Sequence, residues 1–117
     1  MSLSIIIPCL NEEKTITKVI KEIIFVIQKK FEYEIIVVDD FSKDRTINLV
    51  KEIIEKEKSI KLVQNAKNFG YGGSFKEGLK FAEKKYSTII PGDGETNIEE
   101  ILMNYSKLES VNKIFFY

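Results

Sequence analysis

Residues 34–46 read Glu-Ile-Ile-Val-Val-Asp-Asp-Phe-Ser-Lys-Asp-Arg-Thr, four β-branched residues running straight into two carboxylates and a polar turn. A strand with one wet face alternates apolar and polar side chains. This run does not alternate, so it suits a strand covered on both faces, as in a parallel sheet. Such sheets bind ligands outside the carboxyl ends of their strands, and Asp39 and Asp40 fall at that end. Two acids side by side repel each other and cost desolvation. The pair therefore has two readings: one caps the next helix while the other faces water, or the pair serves a ligand. Ser42 is placed to cap the helix that follows.

The rest of the chain repeats the pattern. Residues 3–8 (Leu-Ser-Ile-Ile-Ile-Pro) read as a first strand that Pro8 ends, since proline cannot donate to a ladder. Asn11 reads as a helix N-cap, with Glu12 and Glu13 in the first turn where the helix dipole favours negative charge. Ile16, Val19, Ile20, Ile23, Ile24 and Ile27 then mark one apolar helix face. Ile47, Val50 and Ile54 do the same for a second helix. Residues 59–64 alternate like a third strand and lead into a glycine-rich loop at 65–73. A third helix is expected over 74–85 and a fourth strand over 86–90, closed by Pro91-Gly92-Asp93-Gly94-Glu95. Thr96 and Glu99 have the spacing of a capping box for a fourth helix over 97–108. Residues 113–117 have the makings of a fifth strand. Their aromatics, Phe115, Phe116 and Tyr117, fit a buried strand or, alternatively, a membrane-facing patch. Strand and helix in alternation predict an α/β fold, a three-layer α/β/α sandwich on a mainly parallel sheet with right-handed crossovers.

At 117 residues this is one domain's worth of chain, 44% hydrophobic and 31% charged. Eighteen basic residues balance eighteen acidic ones, which argues against a nucleic-acid protein, where a basic excess displaces counterions from phosphates. Histidine is absent, so no imidazole serves as base, metal ligand or pH switch. The single cysteine, Cys9, excludes an internal disulfide and reads as a small buried apolar residue. No targeting signal or membrane-spanning run is visible, which makes the cytoplasm the expected compartment. The chain stops on an apolar strand, from which the natural domain is expected to run further.

Four loops leave the carboxyl ends of four expected strands and so share one edge of the sheet. They bring together Asn11, Glu12, Asp39, Asp40, Asn68, Asp93 and Glu95, with glycines between. Carboxylates accept hydrogen bonds from a base or ribose and hold hard cations through oxygen. Glycines let backbone N–H groups approach a phosphate. A cation there would neutralise a leaving diphosphate. The plainer alternatives are a turn into a helix for Gly70–Gly73 and dipole complementation for Glu12 and Glu13. A dinucleotide fingerprint fails at Phe75, and a P-loop fails for want of Gly-Lys-Ser/Thr. A phosphoacceptor receiver domain fails because the acidic pair follows the second strand rather than the first.

Three segments match a known pattern in order and spacing: Ser4-Ile-Ile-Ile-Pro-Cys-Leu-Asn-Glu-Glu13, Val37-Val-Asp-Asp-Phe-Ser-x-Asp-x-Thr46, and Asn68-x-Gly-x-Gly-Gly-x-x-x-x-Gly78. In these the chain resembles family 2 glycosyltransferases of the GT-A fold, nearest in flavour to the dolichyl- and polyprenyl-phosphate sugar transferases. The resemblance runs from residue 2 to about 102. It implies a Rossmann-like half that binds a nucleotide-diphosphate sugar. Pro8, Leu10, Asn11 and Glu12 would lie along base and ribose, Asp39 would contact the base, and Asp40 would support the pocket. Asn68 and Gly70 would shape the neighbouring loop, and Gly73 would let the third helix pack close. Asp93, joined by Glu95, would hold Mg²⁺ or Mn²⁺. The chain departs from the relatives' Asp-x-Asp at Pro91, and Glu95 stands where a glutamine is usual.

The resemblance further implies inverting transfer of the sugar to a polyprenyl phosphate or another glycan or lipid acceptor. The general base and acceptor contacts would belong to a further half, so no catalytic residue is assigned here. A polyprenyl-phosphate acceptor would place the work at the cytoplasmic face of a membrane. The alternative reading is a shortened non-catalytic module that binds a nucleotide or pairs with a partner, including as a homo-oligomer, through an uncovered sheet edge. A nucleotidyltransferase would show a Gly-rich, Arg/Lys-bearing loop after the first strand, which Pro8-Cys9-Leu10-Asn11-Glu12 is not.

Overall fold

Eight elements alternate along the chain. They are β1 (Ser2–Cys9), α1 (Ile16–Ile27), β2 (Glu32–Asp39), α2 (Thr46–Ile54), β3 (Ile60–Gln64), α3 (Gly70–Leu79), β4 (Tyr86–Ile89) and α4 (Ile98–Glu109). This computed structural model describes residues 2–109, except the side chains of residues 106, 108 and 109. The strand expected over 113–117 and its aromatics lie outside the described residues.

The sheet is wholly parallel in the order β3-β2-β1-β4. The chain steps outward from β1 to β3, then crosses through α3 to the far side of β1. That reversal makes β1 the point where the strand order switches, and a crevice opens at its carboxyl end.

Both faces of the sheet are covered, as the unalternating runs require. Leu3, Ile5 and Ile7 of β1 with Ile35 and Val37 of β2 face the larger layer, built from α1, α2 and α4. Ile16, Val19, Ile20, Ile23 and Ile27 of α1 are buried against them. Ile6, Ile36 and Val38 point the other way, toward α3, with Phe75 and Ala82 packed on them. Each fully buried aliphatic side chain of this kind contributes roughly 1.5–3 kcal/mol of transfer free energy. The central strands therefore hold the sheet independently of the loops.

The third helix lies close because of Gly78, not Gly73. A Cβ at Gly78 would stand 2.6 Å from Ile6 Cγ2 and 3.0 Å from Val38 Cγ2, inside the core. A Cβ at Gly73 would meet only Phe69 of the same loop.

Helix starts are where the structure departs most from sequence expectation. α1 begins at Ile16, after a turn closed by the Thr15 and Ile16 N–H groups on the Glu12 carbonyl (3.1 and 2.9 Å). Asn11 is not its cap. α2 begins at Thr46, whose N–H donates to Asp44 Oδ1 (2.9 Å), so Asp44 takes the part expected of Ser42. α3 begins four residues early, at Gly70, and ends at Leu79, so the glycine-rich segment is the helix's own first turn. For α4 the cap is Asn97, whose Oδ1 accepts the Glu100 N–H (3.0 Å), one residue beyond the Thr96–Glu99 pair. For α1, α2 and α3 the shift follows from groups of distant loops engaging the same polar side chains and helix-start N–H groups; for α4 it is a local choice between neighbouring caps.

Candidate functional site

The first two loops close on each other like a zip. Asn11 and Phe41 both sit in the left-handed region, at φ of 54° and 71°, and so turn their backbones toward one another. Asn11 Oδ1 accepts the Lys43 N–H (2.8 Å), and the Asn11 N–H donates to Ser42 Oγ (2.8 Å). The Glu12 N–H donates to Thr46 Oγ1 (2.9 Å) and the Glu13 N–H to Asp44 Oδ2 (3.1 Å). Burial raises the Asp44 carboxyl, but the hydrogen bonds from Thr46 and Glu13 outweigh it and hold the group below its usual range.

The two adjacent aspartates have different surroundings. Asp39 is 1% exposed; its Oδ2 accepts the Ser42 N–H (2.9 Å), and its Oδ1 lies 3.9 Å from the Cys9 thiol. Asp40 reaches across to α3. Its Oδ1 accepts from the Phe69 N–H (2.6 Å) and Asn65 Nδ2 (3.0 Å), and its Oδ2 from the Gly70 N–H (3.1 Å). The Asn68 side chain donates to the Asp40 carbonyl (2.6 Å). Burial pushes this carboxyl up, yet the donors from Phe69, Asn65, Gly70 and Ser74 together bring it below the ordinary value. Asp40 thus caps a helix, but a helix 30 residues on. Asn65, which also donates to Ser74 Oγ (3.1 Å), was not singled out by the sequence reading. Its only signal was a polar residue at the mouth of β3.

A cleft of about 330 Å³ opens at the carboxyl end of β1. Pro8, Leu10 and Glu12 line it from the β1 loop, and Asp40, Gly70, Tyr71 and Ser74 from the α3 side. Pro91, Gly92 and Asp93 line it from the β4 loop. Six of the ten expected site residues therefore share it: Pro8, Leu10, Glu12, Asp40, Gly70 and Asp93. Asn11, Asp39, Asn68 and Glu95 are not among its lining residues; the first three are engaged in holding the loops. Glu95 is exposed and gives its N–H to Asp93 Oδ1 (2.9 Å).

Gly70 stands at φ +80°, which a side chain would strain. Tyr71 beside it is the one aromatic ring in the lining, 55% exposed. Burial and then the Asp93 charge push its phenol up. Cys9, on the cleft floor, is 4% exposed. Burial first, then the Asp39 and Glu12 charges, push its thiol far above the range of a nucleophile.

The donor set for a cation is sparse. Among the described residues no three acidic or cysteine side chains gather closely enough to cage a metal. Asp93 alone presents a carboxylate to the cleft on the β4 side. One carboxylate suits Mg²⁺ or Mn²⁺ when the ligand's phosphates supply further oxygens. No described helix is long and apolar enough to cross a membrane.

A wholly parallel sheet flanked by helices, with a cleft at the strand-order switch, defines a Rossmann-like α/β domain, and the solved structures it is similar to make it one of the GT-A type. Within that class, the chain belongs to glycosyl transferase family 2, whose model matches residues 4–116. It is 38% identical over 106 residues to a dolichyl-phosphate β-glucosyltransferase of Dictyostelium discoideum, covering 84% of this chain and 32% of the relative. Among solved structures it is similar to S. aureus TarS in complex with UDP-GlcNAc, with TM-score 0.77 and 28% identity over 95% of this chain and 32% of that one. The fold also matches a Pyrobaculum calidifontis mannosyltransferase in complex with GDP-Man and Mn²⁺, at TM-score 0.79 and 23% identity, over 90% of this chain and 31% of that one. The chain spans about a third of the length of the curated relative and of each of these two structures' chains, the TarS chain being its residues 1–349.

Proposed function

We propose that the cleft binds a nucleoside-diphosphate sugar, of the uridine class, as the donor side of an inverting glycosyltransferase whose acceptor is a polyprenyl phosphate. The observation that carries this reading is the convergence of Pro8, Leu10, Glu12 and Asp93 on one crevice at the strand-order switch. Pro8 and Leu10 offer an apolar wall for a base, Leu10 being 42% exposed. Glu12 stands ready to accept from ribose hydroxyls. Asp40 serves the site indirectly, by holding Gly70 and Tyr71 against its far wall. Asp39 braces the β2 loop through Ser42, with its second oxygen toward Cys9, and so serves the base side of the cleft from behind its lining. Asp93 is the residue that would hold Mg²⁺ or Mn²⁺ together with the diphosphate. Glu95 is an outer partner of that turn. When bound, the cation supplies charge neutralisation for the departing diphosphate.

A thermal-shift titration with UDP, GDP, CDP and their sugar conjugates, each with and without Mn²⁺, tests the reading. A ligand at one hundred times its Kd adds about 2.7 kcal/mol, a shift on the order of ten degrees for a domain near this size. The expected outcome is a metal-enhanced shift with UDP and UDP-sugars. A folded protein that shifts with no nucleotide overturns the proposal.

A further inference from the structure

We infer that Thr15 is a positioning residue that couples the two sides of the cleft, the β1 loop carrying Glu12 and the β4 loop carrying Asp93. The inference rests on the nucleotide reading of the cleft and deepens it. Thr15 is not a cleft-lining residue, and nothing in its sequence surroundings singles it out. Its hydroxyl has one proton and two acceptors in reach: the Gly92 carbonyl oxygen at 2.7 Å and Glu12 Oε2 at 3.1 Å. A hydroxyl can donate to one acceptor fully or divide itself between two. The contact to Gly92 joins residues 77 positions apart and is the shorter of the two.

The β4 loop rests on Thr15 from both ends. The Gly92 N–H donates to the Pro8 carbonyl (3.0 Å) while the Gly92 carbonyl accepts from Thr15. On the other side, Gly94 lies over the Thr15 methyl group, where a Cβ on Gly94 would stand 3.4 Å from Thr15 Cγ2. Asp93 sits between these two glycines. The hydrogen bond its carboxylate receives comes from within its own turn, the Glu95 N–H at 2.9 Å. The position of Asp93 is therefore set by the backbone on which it is strung, and that backbone is fastened to Thr15.

A coupling follows from the shared proton. A ligand hydroxyl that draws the Glu12 carboxylate into the cleft leaves the Thr15 proton wholly to Gly92, and the β4 loop tightens. A cation that fixes Asp93 favours the same arrangement and so favours the ligand at Glu12. Linkage of this kind is reciprocal for binding free energies.

The experiment compares wild type, Thr15→Val and Thr15→Ser. Valine keeps the volume and the methyl contact with Gly94 but leaves the Gly92 carbonyl without its donor; serine keeps the hydroxyl. Two readouts are taken: amide hydrogen exchange at Gly92 and Glu95 in the ligand-free protein, and Kd for UDP, GDP and CDP with and without Mn²⁺. In Thr15→Val, exchange at both amides rises roughly fivefold, the equivalent of one hydrogen bond. The Mn²⁺-dependent gain in affinity falls about tenfold, while metal-free affinity stays within about twofold. Thr15→Ser restores both. Wild-type exchange together with an undiminished Mn²⁺ gain in Thr15→Val overturns the inference, as does an equal loss of metal-free affinity, which marks a general structural effect. Absence of nucleotide binding by the wild type overturns the nucleotide reading and the coupling built on it. The exchange arm stands apart from that result: an unchanged Gly92 amide in Thr15→Val by itself overturns the positioning role.

Discussion

Asp40 shows how one carboxylate both braces the fold and lines the cleft. It is 6% exposed and accepts from two backbone N–H groups at the start of α3 and from the Asn65 side chain. Asp40→Asn turns an NH₂ toward one of those donors and is expected to cost about 2 kcal/mol at pH 7. Because the folded carboxyl lies below its unfolded value, its contribution is complete above the unfolded pKa of about 3.9. It is lost as pH falls through the lower folded value. Urea unfolding at pH 7, 4 and 3 should therefore show the gap between wild type and Asp40→Asn narrowing in acid. A constant gap would assign the loss to packing rather than charge. Glu34 repeats the arrangement at the other end of the sheet, taking hydrogen bonds from the Ser4 hydroxyl and the Glu83 N–H (2.6 Å each) and pairing with Lys61 (2.9 Å).

At the scale of elements, α3 carries the sharpest contrast. It is the only described helix on its face of the sheet, and it comes near enough to wall the cleft only because Gly78 has no side chain. Gly78→Ala gains helix propensity but drives a methyl group to 2.6 Å from Ile6, which is fully buried and cannot move aside. The expected result is a net loss of about 1–3 kcal/mol. Gly72, in the first turn of the same helix, would place its Cβ in open space. Gly72→Ala is expected to stabilise by roughly 0.5–1 kcal/mol. Chemical denaturation of the two variants checks both signs, and matching signs would overturn the packing argument.

The whole molecule divides its labour between a rigid sheet and four loops on one edge. β1, central and paired on both sides, fixes where the loops begin. The zip between the β1 and β2 loops, the Asp40 cap on α3 and the Thr15 bond to Gly92 then fix where they end. On this layout metal response depends on Asp93 and on little else. Asp93→Asn should abolish the Mn²⁺-dependent part of any nucleotide-induced thermal shift while leaving the metal-free part within a degree or two of wild type. Glu95→Gln should keep most of the Mn²⁺ response, since Glu95 is outside the cleft lining. Equal loss in both variants would show that the cation draws on the two carboxylates together.

The pattern of apolar residues determined the order of elements, the parallel sheet and the two-faced burial of β1 and β2. Helix faces repeat every 3.6 residues, whereas an unbroken apolar run fits a strand covered on both sides, and both are local properties. The sequence also marked which edge carries the candidate site, because Asp39 ends β2 and Asp40 and Asp93 stand past strand ends. It could not assign the partners of polar side chains. Asn11, Ser42 and Asp44 are equally good caps on paper. Which one caps, and which holds a neighbouring loop, is decided by donors that arrive from distant parts of the chain. The same holds for Asp39 against Asp40, for Gly73 against Gly78, and for Thr15, whose bond to Gly92 spans most of the domain. Only the folded backbone brings such pairs within hydrogen-bonding distance, so only the tertiary structure could tell them apart.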